Sequence, residues 1–458
     1  MNKSIHLKTS SFDRQLISQV LKEQQMLFNQ RAETPSRLGV KREKLSELTN
    51  AFERDTKLNF QVAIVISGLR RVGKSTLLLQ FAASLKNQKF HYVNFEDERF
   101  VGLKHTDLSQ LHEVLIHLFG PAQTLLLDEI QVVSGWERWV RRLVDQNYKL
   151  IITGSNTELL SGDLGTKLTG RYRKIELLPF SFSEYLKLKN IDTKQQESVP
   201  LITHDRALLS SIFESYMFTG GIPIVADAYD PESLRTLFQD IIYRDVIARY
   251  KIRAVSAVRE LGVMLASNIA RPIAYKRLVQ PLGLKGVSTV KNHVSRLESA
   301  WLFFVLNRYS RSIKQQQLNP KKIFGIDPAL MRAVGIETGD RTGYLLENVV
   351  FLELRRFTAE IFYYITERGQ EIDLFLPRSN LFVQVTFSLA STETRNRELT
   401  TMRAALEERP NSRGIILTMH EWEQVVLAGR TVEILPIYEI LKPGNGREKF
   451  LSLIQSEA

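Results

Sequence analysis

A chain of 458 residues, 43% apolar and 24% charged, has an ordinary globular composition and the length of roughly three domains. It contains no cysteine, which excludes a disulfide framework, thiolate-bound zinc and a thiol nucleophile, and no apolar run reaches the ~18 residues of a membrane helix. The net charge of +12 favours a polyanionic partner, nucleic acid or a membrane surface.

In chain order, residues 1–58 read as a polar, mostly helical lead-in with no apolar signal-peptide core, so a cytoplasmic location and no membrane partner are expected. An α/β core is expected over 59–186. Val62 to Ile66 reads as a buried strand, and Gly68 to Ser75 fits GxxxxGK[ST] before a leucine-bearing helix. Glycines allow the tight turn that presents N–H groups to phosphate oxygens at a helix N-terminus. Gly68, Arg71, Val72, Gly73, Lys74, Ser75 and Thr76 are therefore the expected nucleotide contacts, with ATP and Mg2+ as cofactors. Lys74 would reach the β- and γ-phosphates, and the Ser75 hydroxyl would hold magnesium.

Phe90 to Phe100 predicts a second strand, and Leu108 to Phe119 a helix. The strand at 124–130 ends in Asp128 and Glu129. Asp128 would orient the magnesium shell, and Glu129 would act as base or water-positioner. Trp136 and Trp139 on the next helix read as packing residues. The strand at 148–156 brings Ser155 or Asn156 to a γ-phosphate-sensing position, and after a Gly/Thr-rich loop Arg171 or Arg173 could reach a γ-phosphate in the same chain or a neighbour's.

These runs, LRRVGKST, LLLDEIQVVSGWERWVRRLVD, IITGSN and LTGRYRKIELLPFSFSEYL, resemble a bacterial and archaeal AAA-type ATPase family. The likeness continues through YMFTGGIPIVADAY, NPKKIFGIDPAL and YLLENVVFLELRR, nearly the whole chain. It implies ATP binding and hydrolysis, followed by a winged-helix region and a C-terminal nuclease-like domain.

Residues 187–206 read as a polar linker, within a helical winged-helix region at 187–320. A helix over Ala274–Val279, a turn with Gly283 and Gly286, and a second helix capped by Ser288 form a winged helix-turn-helix pattern. Val290, Val294 and Leu297 would face inward, leaving Thr289, Lys291, Asn292, His293, Ser295 and Arg296 outward. Lys276, Arg277, Lys285, Lys291 and Arg296 are the DNA-binding candidates. Residues 235–325 hold seventeen Lys and Arg against four Asp and Glu, so the basic excess is concentrated there.

Residues 321–458 read as an α/β domain resembling the PD-(D/E)XK restriction-endonuclease core, with Glu347, Asp373 and Gln384 at the carboxylate positions. The lysine expected two residues after Gln384 is Thr386, so cleavage is expected to be absent or weak, with Arg395 or Arg397 the candidate substitutes. The chain thus reads as a multidomain α/β ATPase that couples its nucleotide state to DNA, with a homo-oligomer left open. Three alternatives stand beside this: an ATP-gated nuclease effector, a DNA translocase or branch-migrating helicase, and a switch acting through protein contacts alone.

Overall fold

A computed structural model describes residues 13–85, 88–156, 168, 170–191, 203–336 and 339–455. The Gly/Thr-rich loop after Asn156, most of the polar linker and the first twelve residues lie outside these. The chain divides into two compact units, Met1–Leu177 and Leu178–Ala458.

The first unit is built on five parallel strands: β1 (Ala63–Ser67), β2 (Phe90–Asn94), β3 (Thr124–Asp128), β4 (Lys149–Gly154) and β5 (Tyr172–Glu176). Their order is β2-β3-β4-β1-β5, so β4 lies between β1 and β3. Every residue of β1 and β3 is buried, as continuous apolar runs in a parallel sheet require. Helices α1 (Arg14–Ala32), α2 (Lys44–Lys57), α3 (Lys74–Ser84), α4 (Leu108–Phe119) and α5 (Trp136–Asp145) accompany the sheet. Trp136 and Trp139 are buried, as packing residues should be.

The lead-in has a specific task. β2 is an edge strand, whose outward backbone groups lack a neighbouring strand. Gln24 of α1 accepts from Asn94 N at 2.9 Å and donates to Asn94 O at 3.1 Å, while Gln25 accepts from Tyr92 N at 2.8 Å. The buried amides thus satisfy the edge that water or another strand would otherwise meet.

The second unit continues with α6 (Phe182–Leu188), α7 (Thr203–Thr219) and α8 (Pro231–Asp240). Gly220, with φ +72°, and Gly221 break the chain after α7. A π-helical stretch, Ile241–Ala248, follows α8. Then come α9 (Val255–Ser267), β6 (Pro272–Ile273), α10 (Val287–Ser299), β7 (Phe303–Asn307), α11 (Ile313–Leu318) and β8 (Lys321–Gly325). The three strands form an antiparallel sheet ordered β6-β8-β7.

Two local expectations are corrected. The segment expected as a helix at Ala274–Val279 is a short 3-10 turn, Tyr275–Leu278, because Pro272 and Ile273 are taken up by pairing with β8. Ser288 does not cap α10: the N-cap is Gly286, and Ser288 is already the second residue inside the helix.

The remainder comprises α12 (Pro328–Val334), α13 (Thr342–Arg355), β9 (Phe362–Ile365), β10 (Glu371–Leu376), β11 (Leu381–Val385), α14 (Thr392–Glu408), β12 (Arg413–Thr418), β13 (Glu423–Leu427), β14 (Arg430–Pro436), α15 (Ile437–Leu441) and α16 (Asn445–Gln455). The six-stranded mixed sheet runs β13-β14-β12-β11-β10-β9. β13 was not foreseen: its burial alternates and it pairs antiparallel with β14 at the sheet edge. Phe375, Phe382, Met402, Leu406 and Ile434 lie in the core between this sheet and α14. No helix among the described residues is long and apolar enough to cross a membrane.

Candidate nucleotide site

The loop between β1 and α3 is formed by backbone that few residues tolerate. Gly73 has φ +100°, where side chains are strained, and a Cβ at Gly68 would come within 2.2 Å of the Leu177 carbonyl oxygen. Arg71 also adopts a left-handed φ, and its side chain is exposed, whereas Val72 is buried beneath the loop. The first N–H groups of α3 have no intrahelical partner. They lie at the positive end of the helix dipole, a ready anion site.

Lys74 is buried inside this loop. Its Nζ donates to the carbonyls of Gly68 and Leu69 at 3.2 Å each and lies 3.1 Å from Glu129 Oε1. Asp128, at the end of β3, accepts from Tyr92 Oη at 3.1 Å and from Thr153 Oγ1 of β4. The Ser75 hydroxyl lies close enough to the same carboxylate to favour its charged form. Glu129 has φ +55° and accepts from Ser155 N at 3.1 Å and from Gln131 Nε2.

The two adjacent acids are driven in opposite directions. Burial and repulsion from Glu129 push the Asp128 carboxyl up, against the hydrogen bonds from Thr153 and Ser75. Burial also acts to raise Glu129, but the Lys74 charge and the bond from Gln131 outweigh it and hold Glu129 below its usual value. Glu129 is thus kept ionised, while Asp128 is a buried oxygen ligand whose charge a cation would stabilise. A buried lysine, a serine hydroxyl on a carboxylate and a left-handed glycine are the donor set a Mg-nucleotide requires. The residues fit that group.

Other predicted residues divide. Asn156 is buried at the end of β4, and its carbonyl accepts from Ser67 Oγ at 2.7 Å. Ser155 reaches Glu129 directly. Thr76 is half-buried on α3. Arg171 is not brought to the loop: it precedes β5, its carbonyl accepts from Ala63 N at the start of β1, and its guanidinium pairs with Asp145. Parallel pairing fixes this placement, since the loop lies at the far end of β1, about 13 Å away at 3.3 Å per residue. Arg173 is likewise held by Asp55 at 2.7 Å.

Arg42 was missed. Its guanidinium donates to Val72 O at 2.7 Å, and its N–H donates to Gln80 Oε1 at 3.1 Å. Gln80 also donates to Leu38 O and Val40 O at 2.7 Å each, so the lead-in straps across α3 to the loop. No local sequence pattern marks it.

In the second unit, Lys276, Arg277, Lys285 and Lys291 are exposed, while Arg296 is half-buried with its guanidinium 5.1 Å from the Tyr250 ring. Val290, Val294 and Leu297 face inward as expected. His293, expected outward, is buried: it follows Val290 by three positions, on the same face of the helix.

Glu347, Asp373 and Gln384 do come together. Gln384 Oε1 accepts from Asp373 N at 3.3 Å, and Lys322 bridges Glu347 and Asp373. Arg395 and Arg397 are instead paired with Glu423 and Glu398.

The phosphate loop, the strand order and the paired acids define a P-loop ATPase domain. Residues 61–186 match the family described as AAA domain, and 210–340 match a domain of unknown function, DUF8612. An uncharacterized protein of Methanocaldococcus jannaschii is 32% identical over 75% of this chain and 78% of its own length. One from Haemophilus influenzae is 30% identical over 82% of this chain and 93% of its own. The chain belongs to one family with these proteins. Among solved structures, a Walker-type ATPase of Pyrococcus abyssi aligns over 64% of this chain and 95% of that one, at 16% identity and a TM-score of 0.43, too low to carry an argument.

Proposed function

We propose that the protein hydrolyses ATP and couples its nucleotide state to DNA binding. The observation that carries the ATPase reading is the convergence of Lys74, Ser75, Asp128 and Glu129 at the ends of β1 and β3. A bound Mg-nucleotide would supply the γ-phosphoryl group and the charge that neutralises its oxygens. Lys74, freed from the Gly68 and Leu69 carbonyls, would hold the phosphates. Ser75 and Asp128 would hold the metal. Glu129, ionised and aimed by Ser155 N, would orient the attacking water and take its proton.

The order α9, β6, 3-10 turn, α10, β7, β8 supports a winged helix-turn-helix reading, with α10 as recognition helix and residues 308–320 as the wing. Lys276, Arg277, Lys285 and Lys291 offer exposed cations on the turn and helix, and Arg311 and Lys314 do so on the wing. Their role would be phosphate contact.

The test combines purified protein, Mg-ATP or a non-hydrolysable analogue, and duplex, single-stranded and branched DNA. Salt-dependent DNA binding whose affinity differs between nucleotide states is expected. DNA affinity indifferent to both salt and nucleotide would remove the coupling, leaving an ATPase that acts through protein contacts.

A further inference from the structure

Lys322 is one of the most deeply buried charges among the described residues, with its side chain 1% exposed. Its Nζ lies 2.6 Å from Glu347 Oε1, 2.7 Å from Glu371 Oε1 and 3.3 Å from Asp373 Oδ1. One ammonium thus faces three carboxylates drawn from α13 and β10. The remaining oxygen of Asp373 accepts from Val385 N at 2.8 Å. Gln384, beside it, donates to Glu398 at 2.7 Å.

Glu347, Asp373 and Gln384 are the residues that the sequence marks as a metal-holding set for phosphodiester hydrolysis. A divalent cation in that set would need oxygens at about 2.0–2.1 Å and room for its waters. The ammonium already stands among the same oxygens. It also cannot readily leave: β8 is the central strand of its sheet, paired with β6 on one side and β7 on the other. Among the described residues no group of three or more His, Cys, Asp or Glu is arranged to hold a metal.

We infer that Lys322 is the permanent cation of this cluster, so that the C-terminal sheet domain is a metal-independent support fastened to strand β8. The lysine missing at Thr386 is therefore not replaced by a catalytic one. A lysine arriving from the hairpin occupies the metal's place and pins the winged region to the mixed sheet. Burial acts to lower the Lys322 pKa, but the three carboxylates outweigh it and hold the ammonium charged. The Glu347 carboxyl is pushed up by burial and by Asp373, which limits the excess negative charge.

The test uses the nucleotide-free full chain, with thermal unfolding followed in EDTA and in millimolar Mn2+. The wild type should not respond to Mn2+. Lys322→Met should lower Tm by on the order of 10 °C, because it leaves buried carboxylates unpaired. Mn2+ should restore part of that loss, and the restoration should vanish in Lys322→Met/Asp373→Asn. The neutral triple variant Lys322→Met/Glu347→Gln/Asp373→Asn should be more stable than Lys322→Met alone, since the burden is the unpaired charge. If Lys322→Met does not fold, direct Mn2+ titration of the wild type and of Asp373→Asn decides. Wild-type Mn2+ binding or stabilisation that Asp373→Asn abolishes overturns the inference. So does a Lys322→Met protein with unchanged Tm and no response to Mn2+.

Discussion

Lys74 Nζ and Glu129 Oε1 stand 3.1 Å apart inside the ATPase unit, and the lysine's charge helps keep Glu129 ionised. The lysine's positive charge is met by the carboxylate and two loop carbonyls. Phosphates of a bound nucleotide would compete for the same ammonium.

Lys74→Ala should therefore do two things. Nucleotide affinity should fall by about a hundredfold or more, the loss of a charged hydrogen-bond donor to phosphate. The nucleotide-free protein should also lose up to ~3 kcal/mol, because Glu129 is left buried without its partner. Fluorescent-nucleotide titration and urea unfolding read the two effects separately; unchanged affinity rejects the assignment.

Glu129→Gln should retain ATP binding and slow single-turnover hydrolysis by about a hundredfold or more. A variant that turns over at the wild-type rate would move the water-positioning role elsewhere.

Arg42→Ala removes a 2.7 Å bond to the phosphate loop without touching the acids. The expected outcome is a roughly tenfold rise in the KM for ATP with little change in kcat. Equal falls in kcat and kcat/KM would show that Arg42 acts in the transition state instead.

Neutralising the four exposed cations Lys276, Arg277, Lys285 and Lys291 should weaken DNA binding and flatten its salt dependence by about one unit of slope per lost phosphate contact. ATP turnover measured without DNA should be unaffected. Unchanged DNA affinity in this variant would favour a protein-contact role for α10.

Asp327 gives a pH signature in the second unit. Burial raises its carboxyl from 3.8 to about 6, against backbone N–H bonds from Leu330, Gly221, Ala329 and Ile222. The folded state therefore binds this proton more tightly than the unfolded chain. The contribution is fully present below about pH 4 and is lost as pH rises through about 6, on the order of 3 kcal/mol. The stability of wild type minus that of Asp327→Asn should grow as pH falls through this window. A difference independent of pH rejects the titration.

The sequence by itself determined the phosphate-loop arrangement of the first unit because that arrangement is local. A glycine turn, a lysine and a hydroxyl at a helix start must be consecutive, and Asp128 and Glu129 need only end a buried apolar strand. Tertiary structure alone decided what depends on pairing between distant segments. Parallel registry placed Arg171 at the far end of the sheet from the phosphate loop, which no spacing rule could reveal. Chain folding brought Arg42 to Val72. It also carried Lys322 from the hairpin into a carboxylate cluster where Thr386 had suggested that no lysine would stand. An ion pair between remote positions leaves no local signature, because its stability comes from burial and geometry that only the packed chain creates.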